Sequence, residues 1–237
     1  MKNILFLISM LFLFSCEEEE DFSTPFYVDE NGVTIKAKDW VTVGTTGVLN
    51  GITYIAVNDS LLWENSDLEE DVLYSSEYPE ITEAKQLVTT LVTNMESLTI
   101  GHIKTFLWDV DMSSMGSWDV SNVTTMARMF DTCNCFNPEY LNVEDIPDLT
   151  YWDVSSVTDM SLMFAHIYGL SKFNQDISGW DVSNVTNMAG MFGYNTAFNQ
   201  DLSSWDVSKV TNCDGFYTPW SSPQWTLPQP NFPISCN

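Results

Sequence analysis

Basic residues are scarce in this chain. Eight lysines and arginines stand against 33 aspartates and glutamates, leaving a formal net charge of −25. Affinity for nucleic acid rests on basic contacts to phosphate, so DNA and RNA are excluded as partners. Anionic lipid headgroups are excluded on the same ground, and a cation or a positively charged partner suits the sign better. Histidine is nearly missing: there are two, His102 and His166, neither at a suggestive spacing from a nucleophile. There is no G-x-S-x-G, no H-E-x-x-H and no glycine-rich phosphate loop. Nothing among the 33 acids singles out a carboxylate pair for glycoside hydrolysis. The expectation is a non-enzyme, with no catalytic residue, no metal centre and no resident cofactor.

What the chain has is a repeat. The triplet Trp-Asp-Val occurs at Trp118-Asp119-Val120, Trp152-Asp153-Val154, Trp180-Asp181-Val182 and Trp205-Asp206-Val207, with tryptophans spaced by 34, 28 and 25 residues. A weaker copy precedes them, Leu91-Val92-Thr93-Asn94-Met95 matching Val185-Thr186-Asn187-Met188. In the third copy the apolar positions are Ile177, Trp180, Val182, Val185, Met188, Met191 and Phe192. The opening I-x-x-W-x-V has the spacing of the L-x-x-L-x-L strand of a leucine-rich repeat. The closing M-x-x-M-F steps by three or four, a spacing suited to one short helical turn. This predicts an α/β solenoid: a leucine-rich-repeat-like stack of four to five units of about 25 residues behind a small N-terminal β cap.

The run W-D-V-S-N-V-T-N-M-x-x-M-F, with the linker F-N-Q-D at residues 173–176 and 198–201, resembles the BspA-like leucine-rich-repeat surface proteins. The same repeat occurs in mycoplasma lipoproteins as a domain of unknown function. The resemblance covers roughly residues 84–216. It implies a cell-surface binding or adhesion protein, and it brings no catalytic residues.

In chain order, residues 1–15 read as a signal peptide. Lys2 is followed by an apolar stretch at 4–14, and eleven residues are too few to span a bilayer, which needs about twenty. Leu13-Phe14-Ser15-Cys16 looks like a bacterial lipobox, implying cleavage before Cys16 and acylation of that cysteine. An ordinary secreted chain is the alternative. Residues 16–25 form an acidic tether, since Glu17-Glu18-Glu19-Glu20-Asp21 repel one another. The acidic run resembles the surface-export signal of Bacteroidota-type lipoproteins, which implies a lipid-anchored protein on the outside of the outer membrane; a plain spacer is the alternative.

Residues 26–83 are expected to be the β-rich cap. Turns fall at Asp29-Glu30-Asn31-Gly32 and Asn50-Gly51, with strands at 33–37 and 52–57. A helix is expected over 80–92, with Ile81, Ala84, Leu87, Val88 and Leu91 on one face. The solenoid is placed at 84–217. Insertions carrying His102, Lys104, Trp108 and Asp109, and further on Cys133-Asn134-Cys135, belong to loops on one face. Residues 218–237 read as an extended lid over the last repeat, since four prolines, at 223, 228, 230 and 233, fall between Trp220 and Cys236.

If Cys16 carries lipid, four cysteines remain, and three pairings are open. Cys213 takes the repeat's methionine position and Cys236 ends the lid, and similar proteins carry a cysteine at each of these points. Cys213–Cys236 is the favoured pairing, with Cys133 and Cys135 then either a tight bridge or two free thiols.

In an L-x-x-L-x-L strand the residue between the last two core positions faces outward. Here it is Asp119, Asp153, Asp181 and Asp206, the candidate ligand-binding residues. Side by side these carboxylates would repel. Local hydrogen bonding from the Ser, Asn, Lys and Thr that follow is the favoured remedy; the sharper alternative is a cation such as Ca²⁺ or a basic ligand. Asn174 and Asn199 are expected to satisfy backbone groups as an asparagine ladder. The function expected is a lipid-anchored surface protein that binds an extracellular protein or glycan. Alternatives are a carbohydrate-binding accessory of nutrient uptake and a structural envelope component.

Overall fold

A computed structural model describes residues 23–63, 86–98, 112–131, 147–165, 173–218 and 225–236. The signal, Cys16, most of the tether, both histidines and the Cys133–Cys135 segment lie outside the described residues.

The first part is built from two small sheets. Strands β1 (Phe26–Val28) and β2 (Ile35–Ala37) pair antiparallel, Phe26 opposite Ala37. Their turn is closed by Asn31, whose Oδ1 accepts the Val33 and Thr34 amides, both at 2.9 Å, while Gly32 takes a left-handed φ of 74°. Lys36 and Asp29 pair across it at 3.1 Å. Strands β3 (Thr46–Leu49) and β4 (Ile52–Asn58) form the hairpin that Asn50-Gly51 signals, both turn residues having positive φ. A helix, α1 (Asp59–Trp63), follows, capped by Asn58 Oδ1 on the Leu61 amide at 3.0 Å. Strand β5 (Gln86–Leu91) then lies parallel to β4.

The helix expected over 80–92 is thus corrected: its described part is a strand. The reason is visible in two cores. Ile55, Val57 and Leu87 belong to the large core, whereas Tyr54, Ala56 and Val88 belong to a smaller one shared with Phe26, Ile35 and Val41. Adjacent residues Leu87 and Val88 face opposite sides, which a strand permits and one stripe of a helix does not.

The α/β leucine-rich-like solenoid is overturned as well. The described residues hold two small β-sheets, one five-residue helix and a 3-10 helix at Met112–Ser117, with no repeated strand–helix unit. Each I-x-x-W and each M-x-x-M is a β-turn. In the third copy the Trp180 amide donates to Ile177 O at 3.1 Å, Val185 to Val182 O at 2.9 Å, and Met191 to Met188 O at 3.2 Å. The same three bonds recur from Met115/Trp118, where the first closes the 3-10 helix, to Cys213/Phe216. Apolar residues three apart are buried because they are the first and last residues of a turn, and apart from Gly116 and Ala127 the two residues between them are partly or fully exposed. The third turn cannot be helical, because its third residue is left-handed in every copy: Arg128, Leu162, Gly190 and Gly215 all have φ between 56° and 62°.

Successive copies run parallel and are linked at one corner by single-residue bridges: Asn94 to Thr125, Thr125 to Asp159, Asp159 to Asn187, Asn187 to Asn212. Inside, like residues meet. Trp152 and Trp180 stack at 6.4 Å, Phe130 and Phe164 at 5.4 Å, Phe164 and Phe192 at 5.7 Å. Each buried indole N–H finds a carbonyl in the preceding copy: Trp152 on Met115 O, Trp180 on Leu149 O, Trp205 on Ile177 O. Trp118 heads the series, and its buried Nε1 has no hydrogen-bond partner among the described residues. Residues 225–236 lie over the far end, Trp225 edge-on to Phe198 at 4.8 Å and Phe232 edge-on to Phe216 at 4.9 Å.

Candidate functional site

Every turn of the repeat except Met115–Trp118 is preceded by a side-chain acceptor, and this decides where the aspartates go. At the second corner Asp119, Asp153, Asp181 and Asp206 each present Oδ1 to the amide two residues on, at 3.0–3.2 Å: Ser121, Ser155, Ser183 and Ser208. At the first corner Asp148, Asp176 and Asp201 do the same for Thr150, Ser178 and Ser203. At the third corner the acceptors are Asp159, Asn187 and Asn212, and more weakly Thr125. These are Asx turns. One copy reads Asp-Φ-x-x-Φ, Asp-Φ-x-x-Φ, Thr, Asn-Φ-x-x-Φ, with Φ buried.

The expected row of carboxylates on a sheet face is therefore corrected, because there is no strand at Trp-Asp-Val and no sheet face for it to line. Asp153, Asp181 and Asp206 are exposed, while Asp119 is buried at 2% exposure beneath the N-terminal sheets, its Oδ2 without a hydrogen-bond partner among the described residues. Hydrogen bonding governs these carboxyls. Ser183, through its side chain and amide, holds Asp181 below the usual carboxylate range, and the repulsion from Asp206 is a lesser, opposing effect. Ser208 lowers Asp206 in the same way, as Ser178 lowers Asp176 and Ser203 lowers Asp201. Among the described residues no group of three or more His, Cys, Asp or Glu is placed to hold a metal ion.

Three features escaped the reading of the sequence. The first is a threonine column. Thr124, Thr158, Thr186 and Thr211 each donate both amide, at 2.8 Å, and hydroxyl, at 3.0–3.2 Å, to the carbonyl of the preceding member, starting from Thr93. The second is its start. Asp59 takes the place of a preceding carbonyl, accepting the Thr93 amide and hydroxyl at 2.7 and 2.6 Å and the Asn94 amide at 3.0 Å. The third is Asn195, fully buried, which donates to Phe173 O and accepts the Ala197 and Phe198 amides. The repeated Asp/Asn-Φ-x-x-Φ spacing was the available signal for the turns; Asp59, in another element, left none.

Asn174 and Asn199 do bond backbone, but that of the next segment rather than their own turns. Asn174 Oδ1 accepts the Asn199 amide at 2.8 Å, and Asn199 Oδ1 accepts the Thr226 and Leu227 amides at 2.7 and 3.0 Å. Cys213, fully buried, and Cys236 are joined by a disulfide with Cα atoms 5.0 Å apart. No helix among the described residues is long and apolar enough to cross a membrane.

The arrangement defines a tandem-repeat protein whose units are rings of Asx-capped turns, offering columns of like polar groups on the outside and columns of like apolar groups within. The family described as "Mycoplasma protein of unknown function, DUF285" matches at residues 74–144 and 138–222, and the chain belongs to it. No curated protein and no solved structure matches the chain.

Proposed function

We propose that this chain is a non-enzymatic, BspA-like surface lipoprotein, anchored through acylated Cys16 to the outer membrane, whose repeat array binds an extracellular macromolecule. The observation that carries the proposal is the recurrence of the same hydroxyl and carboxylate groups, copy after copy, on turns that hydrogen bonds hold rigid: Asp153 with Ser155, Asp181 with Ser183, Asp206 with Ser208, beside the exposed column of Thr124, Thr158, Thr186 and Thr211. A rigid periodic surface loses little conformational entropy on binding, so many weak polar contacts add up to useful affinity. The acidic balance directs it toward a ligand with basic or neutral polar groups. The test is capture by the full chain carrying Cys16→Ser, against immobilised matrix proteins, glycans and whole bacterial cells. Capture of a ligand that Asp181→Ala and Thr186→Val weaken supports the reading; ligand-free outcomes on all three surfaces sink it.

A second reading, a carbohydrate-binding accessory, draws on Tyr151, which is 51% exposed beside Asp153. Tyrosine rings flanked by carboxylate and hydroxyl groups are suited to sugar faces. A glycan array on which Tyr151→Ala loses signal would favour it.

A further inference from the structure

Residues 225–228 occupy the place of one more rung. The segment Trp225-Thr226-Leu227-Pro228 stands to Phe198-Asn199-Gln200-Asp201 as that segment stands to Phe173-Asn174-Gln175-Asp176. Asn174 Oδ1 accepts the Asn199 amide at 2.8 Å, and Asn199 Oδ1 accepts the Thr226 amide at 2.7 Å. Phe173 stacks on Phe198 at 5.9 Å, and Phe198 meets Trp225 at 4.8 Å. Two further bonds fix the register: Trp225 Nε1 on Gln200 O at 3.0 Å, and the Leu202 amide on Pro228 O at 2.9 Å. The last rung is thus an acceptor site for an extended segment that begins with an aromatic residue, and its occupant is held by Cys213–Cys236.

We propose that this end surface is a redox-gated self-recognition site, and that with the disulfide open it takes residues 225–236 from a second copy of the chain. Both segments seen in this register come from this chain, and the hydrogen bonds that residues 225–228 make are to backbone atoms and to Asn199, as those of residues 198–201 are to Asn174, so an identical segment from another copy satisfies them equally. The gate is thiol–disulfide exchange. A dithiol attacks the bond, is itself oxidised to a disulfide, and leaves Cys213 and Cys236 as thiols with its two electrons and two protons. A disulfide-bearing oxidant reverses the step and locks whichever Cys236 then lies beside Cys213.

The test uses the full chain carrying Cys16→Ser, Cys133→Ser and Cys135→Ser, prepared in ¹⁴N and ¹⁵N forms. The two are mixed with dithiothreitol, reoxidised with oxidised glutathione, and digested for mass spectrometry of the Cys213–Cys236 peptide. Far-UV circular dichroism under reductant establishes that the chain stays folded. The expected result is a folded reduced chain that elutes as a dimer, with mixed-isotope linked peptides approaching half of the total. Chains mixed without reductant are expected to give none. Asn199→Ala removes the acceptor of two amides and should lower the mixed fraction by about tenfold. A folded reduced chain that still elutes as the oxidised one, or linked peptides of single isotope only, overturns the proposal. So does a mixed fraction that Asn199→Ala leaves unchanged.

Discussion

The N-terminal sheets and the repeats satisfy their backbone in opposite ways. In β4 and β5 the chain pairs strand to strand, and alternation sends Ile55, Val57 and Leu87 to one core and Tyr54, Ala56 and Val88 to another. In the described residues of the repeats the chain instead makes three turns per copy, and local amides are met by the Asp or Asn just ahead. A sheet needs β-branched and aromatic residues at period two; a ring of turns needs an acceptor followed by apolar residues three apart. The strong acidity of the chain is in part a consequence of this, since Asp is a good Asx-turn former.

The comparison is broken most severely by removing what the copies share inside. Trp180→Ala deletes a buried indole, its contact with Trp152 and its bond to Leu149 O, and should cost about 3–5 kcal/mol in chemical denaturation. No comparably large loss is expected from Val48→Ala on β3, which is 65% exposed. A loss under 1 kcal/mol for the tryptophan would mean that the indole column is not what joins the copies.

Next comes the joint between the two regions. Asp59→Ala leaves the Thr93 and Asn94 amides without their acceptor and is expected to cost about 2 kcal/mol. Hydrogen exchange should quicken first at Thr93, Asn94 and Thr124. Uniform exchange changes along the chain would count against Asp59 as the start of the threonine column.

How much of this was legible follows from those residues. The repeat, its buried positions, the Asn50-Gly51 hairpin and the cysteine at the methionine position could all be read directly. The turns were signalled only by the Asp or Asn ahead of each apolar pair, because a spacing of three suits a helical turn, a leucine-rich strand and a β-turn alike, and in the backbone the left-handed residue separates them. Gly190 and Gly215 hinted at it, but Arg128 and Leu162 in the same position concealed it. The strand at 86–91 was hidden because Leu87 and Val88 serve two cores, which mimics one face of a helix. Asp119, Asp153, Asp181 and Asp206 were found as a set, but their role depended on the backbone around them.

A smaller effect tests the turn itself. Gly215 has φ 61° with nothing near its missing side chain, so Gly215→Ala carries conformational strain alone, about 1 kcal/mol. A thermal shift indistinguishable from zero would show that this backbone relaxes freely.

The smallest concerns pH. Asp176, Asp181, Asp201 and Asp206 are lowered in the folded chain. Their contribution is present above the unfolded carboxylate range, near pH 3.9, and is lost as pH falls through the lower folded values. Asp29 of the first hairpin, lowered chiefly by its hydrogen bond with Lys36, behaves alike. Because Asn187 and Asn212 cap the third corner as amides, Asp181→Asn should keep stability near neutrality within about 0.5 kcal/mol and flatten the acid limb of a melting-temperature profile. Added Ca²⁺ should not shift either profile; a shift lost in Asp181→Asn would revive the cation.

One regularity bears on how such a chain tolerates change. From the tryptophan to the end of the third turn is eleven residues in all four copies, Trp118 to Met129, Trp152 to Met163, Trp180 to Met191 and Trp205 to Phe216. All the length variation falls in the return to the next copy: 20 residues from Met129 to Leu149, 14 from Met163 to Ile177, 11 from Met191 to Leu202. The molecule therefore has one permissive seam. In the sequence that interval takes segments of differing length while the rest keeps step, which makes it the natural place for novelty to accumulate and for an engineered graft to be installed.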